Sequence, residues 1–333
     1  MTLRPNAVDQ RVDALTTHDL LTHAASQLVD PYRQIAAVRF VHWYLPGWLC
    51  SVLFVSVALA YFWQSGRAAR LRDVLRRRWE NEWAVRFGFG VALGLIVRLA
   101  GLLPNLYLYR VERAMGQSEQ LLRAWGVDWL LMTIVWSIAI GIITAIVLRL
   151  VERTHQWYVY TILAIFAVNF GLAYLVPVVH RAPPYVLGPQ EMQWVTDRQL
   201  GFAAAGARWR EALTDALLLI VGAAFAVTIA DRIGFRRDDD PVSRLALVAA
   251  LCSVLYLAAV PIDNFVRRGI TADEDAYAIA LGANRAEAIR DIVRGADQSL
   301  REVCPGPAAR LFLVRIEMPG ARVRAINGVS SNC

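Results

Sequence analysis

"VDWLLMTIVWSIAIGIITAIVLRL", residues 127–150, carries one acid near its start, one arginine near its end and no charge between them. About 20 such residues are what an α-helix needs to cross a hydrocarbon core of roughly 30 Å. In lipid every backbone N–H and C=O must be paired within the protein, so only helices and closed barrels can span it. A barrel strand alternates its faces residue by residue, and this Leu/Ile-rich run does not. Five further runs share its character: 45–64, 84–103, 157–178, 213–231 and 244–262. The chain is therefore expected to be all-α, a polytopic membrane helix bundle with about six transmembrane helices. The first forty residues are polar and lack the apolar core and small-residue cleavage site of a secretory leader, so no cleaved leader is expected.

All 35 basic residues are arginine, against 28 acids. Without lysine, a phosphate-loop lysine, a Schiff base and a Ser–Lys dyad are excluded. A net charge of +7 would suggest nucleic acid in a soluble chain. Here the arginines cluster in short loops between apolar runs, where they set orientation or meet anionic lipid heads, so the expected partner is the bilayer and not nucleic acid. The loop "SGRAARLRDVLRRRWENEW", 65–83, is the most basic and argues for a cytoplasmic position with the amino terminus outside. The opposite loops, with Arg110, Arg113, Arg123, Arg181, Arg198, Arg208 and Arg210, are nearly as basic, so loop charge leaves the orientation open. Cys50 and Cys252 fall inside apolar runs, and Cys304 and Cys333 form no paired motif. Small buried hydrophobes, not a disulfide framework, are the expectation for the cysteines. Neither a G-x-S-x-G elbow nor a phosphate-cradling glycine loop is present.

The organisation divides as follows: an amphipathic amino-terminal segment, 1–40, lying on the membrane or packed as an ordinary helix; a four-span region, 41–179; a short polar connector, 180–212; two further spans, 213–266; and a soluble tail, 267–333. Trp43, Trp48, Trp63, Trp83, Trp125, Trp157 and Trp194 stand near run ends, as interfacial anchors do. Thr133, Ser137 and Thr144 share one span and suit helix–helix packing. Arg98 and Asn169 lie at membrane depth, where polar groups are candidate functional residues by default. Arg98 is expected to snorkel or to pair with a carboxylate such as Glu112.

Residues 102–129 read "LLPNLYLYRVERAMGQSEQLLRAWGVDW". The order and spacing of Leu103, Pro104, Tyr109, Glu112, Gly116, Ser118, Gln120, Trp125 and Asp128 resemble the amino-terminal membrane domain of the CAAX prenyl protease type 1 family, the integral-membrane zinc metalloendopeptidases. Ala114 and Met115 depart from that family's arginine and aromatic. "GRAARLRDVLRRR", 66–78, and "LVPVVHRAPPYVLGP", 175–189, extend the resemblance across roughly residues 30–190. It implies a membrane chamber, here lined by Arg98, Glu112, Asp128 and Asn169.

The same resemblance implies zinc, held by an H-E-x-x-H helix and a later glutamate. Histidines at i and i+4 face one way and share the metal, and the adjacent glutamate activates its water. The five histidines here, His18, His23, His42, His155 and His180, contain no such pair, and about thirty residues between spans leave no room for the family's catalytic domain. Counting from Asn264, Arg268 matches the family's arginine, Thr271 stands at the glutamate ligand, and Asp275 matches its later aspartate. Met318 replaces a late histidine, with Arg324 as the retained arginine. A neutral hydroxyl is a poor zinc donor, so no cofactor, metal site or catalytic residue is expected. Asp273, Glu274 and Asp275 are read instead as the acidic first turn of a surface helix. The expectation is a multi-pass protein of the bacterial inner membrane, of the CAAX prenyl protease family but catalytically inactive, that binds or regulates lipidated or membrane peptides. A transporter-like bundle for small molecules or lipids, and a metallopeptidase with an unconventional site, are the alternatives.

Overall fold

The computed structural model of the protein describes residues 5–153, 164, 189–234 and 240–329. Within them the regular elements are helical and no strand occurs. Short helices α1 (Pro5–Asp13), α2 (Thr17–Thr22) and α3 (Ala25–Leu28) lead into α4 (Pro31–Gln64). There follow α5 (Arg67–Arg78), α6 (Glu82–Ala100), α7 (Leu102–Ala114), α8 (Leu122–Arg153), α9 (Pro189–Ala204), α10 (Ala207–Gly234) and α11 (Pro241–Ala280). The chain closes with α12 (Arg285–Gln298), α13 (Pro307–Phe312) and α14 (Pro319–Asn327).

Two of the longest helices begin in the same way. Asp30 and Asp240 cap α4 and α11 by accepting backbone N–H groups, from Tyr32 and Val242 respectively. Pro31 and Pro241 follow at the first helical position, where a missing N–H costs nothing. Among the described residues α4, α6, α8, α10 and α11 are long and apolar enough to cross a membrane. The sixth apolar run, 157–178, lies outside the described residues, as does Asn169. The spanning helices turn apolar side chains outward, with Val57 66% and Val221 64% exposed, as a lipid solvent permits.

Antiparallel α6 and α8 approach closely through small residues. A Cβ on Gly90 would stand 2.8 Å from the Gly141 Cα, and one on Gly94 would stand 2.8 Å from the Ser137 Cα. Thr133, Ser137 and Thr144 are buried, in keeping with the packing role expected of them. At one end of this pair the buried Arg86 meets Glu152 at 2.5 Å. That end also carries α5, with six arginines and a single acid, Asp73, and Arg76 bonded at 2.6 Å to Asp240.

At the opposite end the helices nearest the two ends of the described chain, α1 to α3 and α12 to α14, fold together into a cap. Val12, Leu20 and Leu28 from the amino-terminal helices share one core with Ile289, Val293 and Val323 from α12 and α14. Asp297 accepts the Asp30 backbone N–H at 3.1 Å and an Arg11 guanidinium hydrogen bond at 3.2 Å. Gln34 exchanges bonds with the backbone of Arg301 and Val303. The helices of segment 1–40 are thus packed ones.

Three expectations are corrected. Trp194 is not an interfacial anchor: it is fully buried in the cap and donates to Asp291 at 3.2 Å, because α9 lies against α11 and α12 and not along lipid. Cys304 is disulfide-bonded, Cys50 is free and exposed and Cys252 is free and half-buried, so the cysteines do not all serve as buried hydrophobes. Finally, Asp273, Glu274 and Asp275 do not open a helix. They lie within α11, which continues unbroken past residue 262. Its 40 residues measure about 60 Å, twice the hydrocarbon core, so its last turns project into the cap.

Candidate functional site

The projecting part of α11 carries a polar stripe. Asn264, Arg268, Thr271 and Asp275 recur at helical spacing and are 1%, 6%, 7% and 5% exposed. Each is engaged by backbone or charge. Asn264 donates to the Leu311 carbonyl at 2.7 Å, and Arg268 donates to the carbonyls of Arg310 and Val314 at 2.7 and 2.9 Å. Those carbonyls belong to the last turn of α13 and its exit, so the stripe holds the carboxy-terminal segment against α11. Asp275 accepts two bonds from Arg322, at 2.6 and 3.0 Å, and stands 2.7 Å from Arg198 of α9. Burial opposes the charge on Arg322, but Asp275 more than offsets it and holds its pKa above the ordinary arginine value. The predicted positions Arg268, Thr271 and Asp275 are therefore brought together, and Arg322 joins them in place of Arg324.

Thr271 occupies the middle of this stripe with its hydroxyl donating to the Arg267 carbonyl one turn back, at 3.1 Å. Above and below it the flanking side chains are committed to guanidinium bonds. A site surrounded by fixed cations repels a divalent metal, and a hydroxyl spent on its own helix is a weak donor. Among the described residues no group of three or more His, Cys, Asp or Glu could hold an ion. The described residues around Thr271 do not fit zinc.

The second motif, on α7 and its exit, builds a turn. Gly116 adopts a left-handed φ of 72° just past α7, which favours glycine. Tyr109 donates to the Gln120 carbonyl at 2.8 Å and stacks on Trp125 at 5.1 Å. Ser118 accepts from the Gln120 N–H at 3.3 Å, and the Gln120 amide donates to Asp128 at 2.5 Å. Tyr109, Gly116, Ser118 and Asp128 are thus gathered around one chain reversal. Glu112 points elsewhere, toward Tyr44 of α4, and burial raises its pKa despite the tyrosine hydrogen bond that opposes this. Arg98 does not pair with it: the guanidinium bonds Thr133 at 3.2 Å and lies over the Trp129 ring at 5.4 Å, because α6 packs on α8.

This turn sits inside a recognisable stretch of sequence. Residues 47–181 match the family described as CAAX prenyl protease N-terminal, five membrane helices. This is a membrane protein with a CAAX prenyl protease N-terminal domain. The domain takes in the second half of α4 and all of α5 to α8, and so includes the Tyr109 turn and the glycine contact of α6 with α8. It ends before α9, so the Thr271 stripe lies outside the matched segment. No curated protein matches the chain.

A cavity of about 620 Å³ opens between α4, α10 and α11, beneath α13. None of Arg98, Glu112 and Asp128 lines it. Its charged residues Asp215, Asp263, Arg267 and Arg315 were not singled out by sequence reading. The signal available for the first three was their helical spacing at the ends of two adjacent apolar runs.

Proposed function

We propose that this protein keeps the CAAX prenyl protease membrane scaffold without the protease chemistry, and acts as a binding or regulatory protein for lipidated or membrane peptides in a bacterial inner membrane. The observation that carries the reading is the setting of Thr271: its hydroxyl is spent on the Arg267 carbonyl, and guanidinium-bonded Arg268 and Asp275 stand one turn to either side. Metal analysis of the purified protein, with a cleavage assay on a lipidated peptide, tests it. No stoichiometric zinc and no chelator-sensitive cleavage are expected. Stoichiometric zinc that disappears in Thr271→Ala overturns it.

The two ends of the bundle support an orientation. α5 lies in the most arginine-dense of the short loops, with six arginines in its twelve residues. The excess of arginine in short loops favours the cytoplasm for α5. A disulfide at Cys304, on the cap, favours an oxidising exterior for the other end. Both favour an orientation with the two joined terminal segments outside.

A further inference from the structure

The cavity between α4, α10 and α11 is amphipathic along its length. Its inner wall is made by Trp48, Leu219, Leu255 and Tyr256, with Trp48 and Tyr256 ring centroids 6.1 Å apart. Its volume falls within the roughly 300–1,000 Å³ of small-molecule sites. Gly222 lies on this wall, and a Cβ there would meet nothing within 4 Å, so the space is open down to the α10 backbone.

At the cap end of the cavity three carboxylates converge on one guanidinium. Arg267 stands 2.7 Å from Asp263, 2.8 Å from Glu211 and 3.2 Å from Asp215. The second cation nearby, Arg315, is 3.5 Å from Asp263 with its side chain 63% exposed. Three acids against two arginines leave a surplus of negative charge and of hydrogen-bond acceptors. A carboxylate or phosphate head would be repelled at this end, and a head that donates hydrogen bonds and carries positive charge complements it.

We propose that this cavity binds an amphiphile with one alkyl chain and a protonated primary amine, the chain along Trp48 and Leu255 and the ammonium beside Asp215 and Asp263. The proposal does not depend on whether the Thr271 region is catalytically silent.

The protein in lipid nanodiscs is titrated with ω-brominated dodecylamine, and bromine quenching of tryptophan fluorescence is followed. The matching brominated dodecanoate and dodecanol serve as comparisons. Saturable quenching is expected for the amine, about fivefold tighter than for the carboxylate or the alcohol, the size of one partly exposed charge pair. Trp48→Phe should remove most of the saturable signal, and Asp215→Asn should reduce the preference for amine. A Cβ at Gly222 meets nothing within 4 Å, so Gly222→Leu should extend into the cavity and abolish saturable binding while the helical circular dichroism stays unchanged. Equal or tighter binding of the carboxylate overturns the assigned head group. Saturable amine binding that survives Gly222→Leu overturns the site, and linear quenching with no saturable part overturns both.

Discussion

Arg322 reaches across 47 sequence positions to chelate Asp275 with two hydrogen bonds, at 2.6 and 3.0 Å, both side chains being 7% exposed. This pair ties α14 to the projecting end of α11, and Arg198 brings α9 to the same carboxylate.

Removing one member should therefore cost more than removing both. Asp275→Leu leaves the Arg322 guanidinium buried without its main partner and should destabilise the cap by ~3–5 kcal/mol. The double variant Asp275→Leu, Arg322→Leu should recover a large part of that loss. Chemical unfolding followed by the fluorescence of buried Trp194 measures both.

Asp297 should make the cap sensitive to pH. Burial pushes its carboxyl from the usual 3.8 up to about 6, against the Asp30 N–H and the Arg11 charge that favour ionisation. The folded state therefore holds the proton more tightly than the unfolded one. Stability is greatest below about 4, falls as pH rises through about 6 and is then level. The gap corresponds to about 3 kcal/mol. Asp297→Asn should flatten the profile, and amide exchange at Asp30 as a function of pH reports it.

The α6–α8 contact should tolerate no side chain. In Gly90→Leu the new Cβ would lie 2.7 Å from Thr144 and 2.8 Å from the Gly141 backbone, forcing the helices apart at a cost of about 1–3 kcal/mol. A Cβ on Gly126 would meet nothing within 4 Å, so Gly126→Leu should be nearly neutral. Thermal unfolding midpoints in one detergent separate the two.

The proposed orientation predicts opposite labelling at two exposed positions. In a background carrying Cys50→Ser and Cys252→Ser, a cysteine replacing Arg70 on α5 should react with an impermeant maleimide only after the cells are opened. One replacing Glu119, in the turn after α7, should react in intact cells. The reverse pattern inverts the topology.

Much of the fold was legible because lipid imposes local rules. A helix must pair its backbone within itself, so the run 127–150 announced α8, and 244–262 announced the spanning part of α11, without knowledge of any neighbour. The small residues of α8 announced a close contact, although only packing chose Gly90 and Gly94 as its other side. The acidic knot 273–275 misled because a helix start and a helix interior carry the same charges. What distinguished them was the absence of a break between 262 and 280, and then the arrival of Arg198, Arg210 and Arg322 from elsewhere in the chain.

The amino-acid sequence by itself determined the helical class, the apolar runs that span the membrane and the likeness to the CAAX prenyl protease N-terminal domain, since each depends on composition and spacing along one segment. The tertiary structure alone decided that the helices nearest the two ends of the described chain form one cap, that Trp194 is core, and that Asp215, Asp263 and Arg267 head a cavity. Those outcomes depend on which distant side chains meet, and the free energy of burying a charge or an indole is set by the partner that arrives.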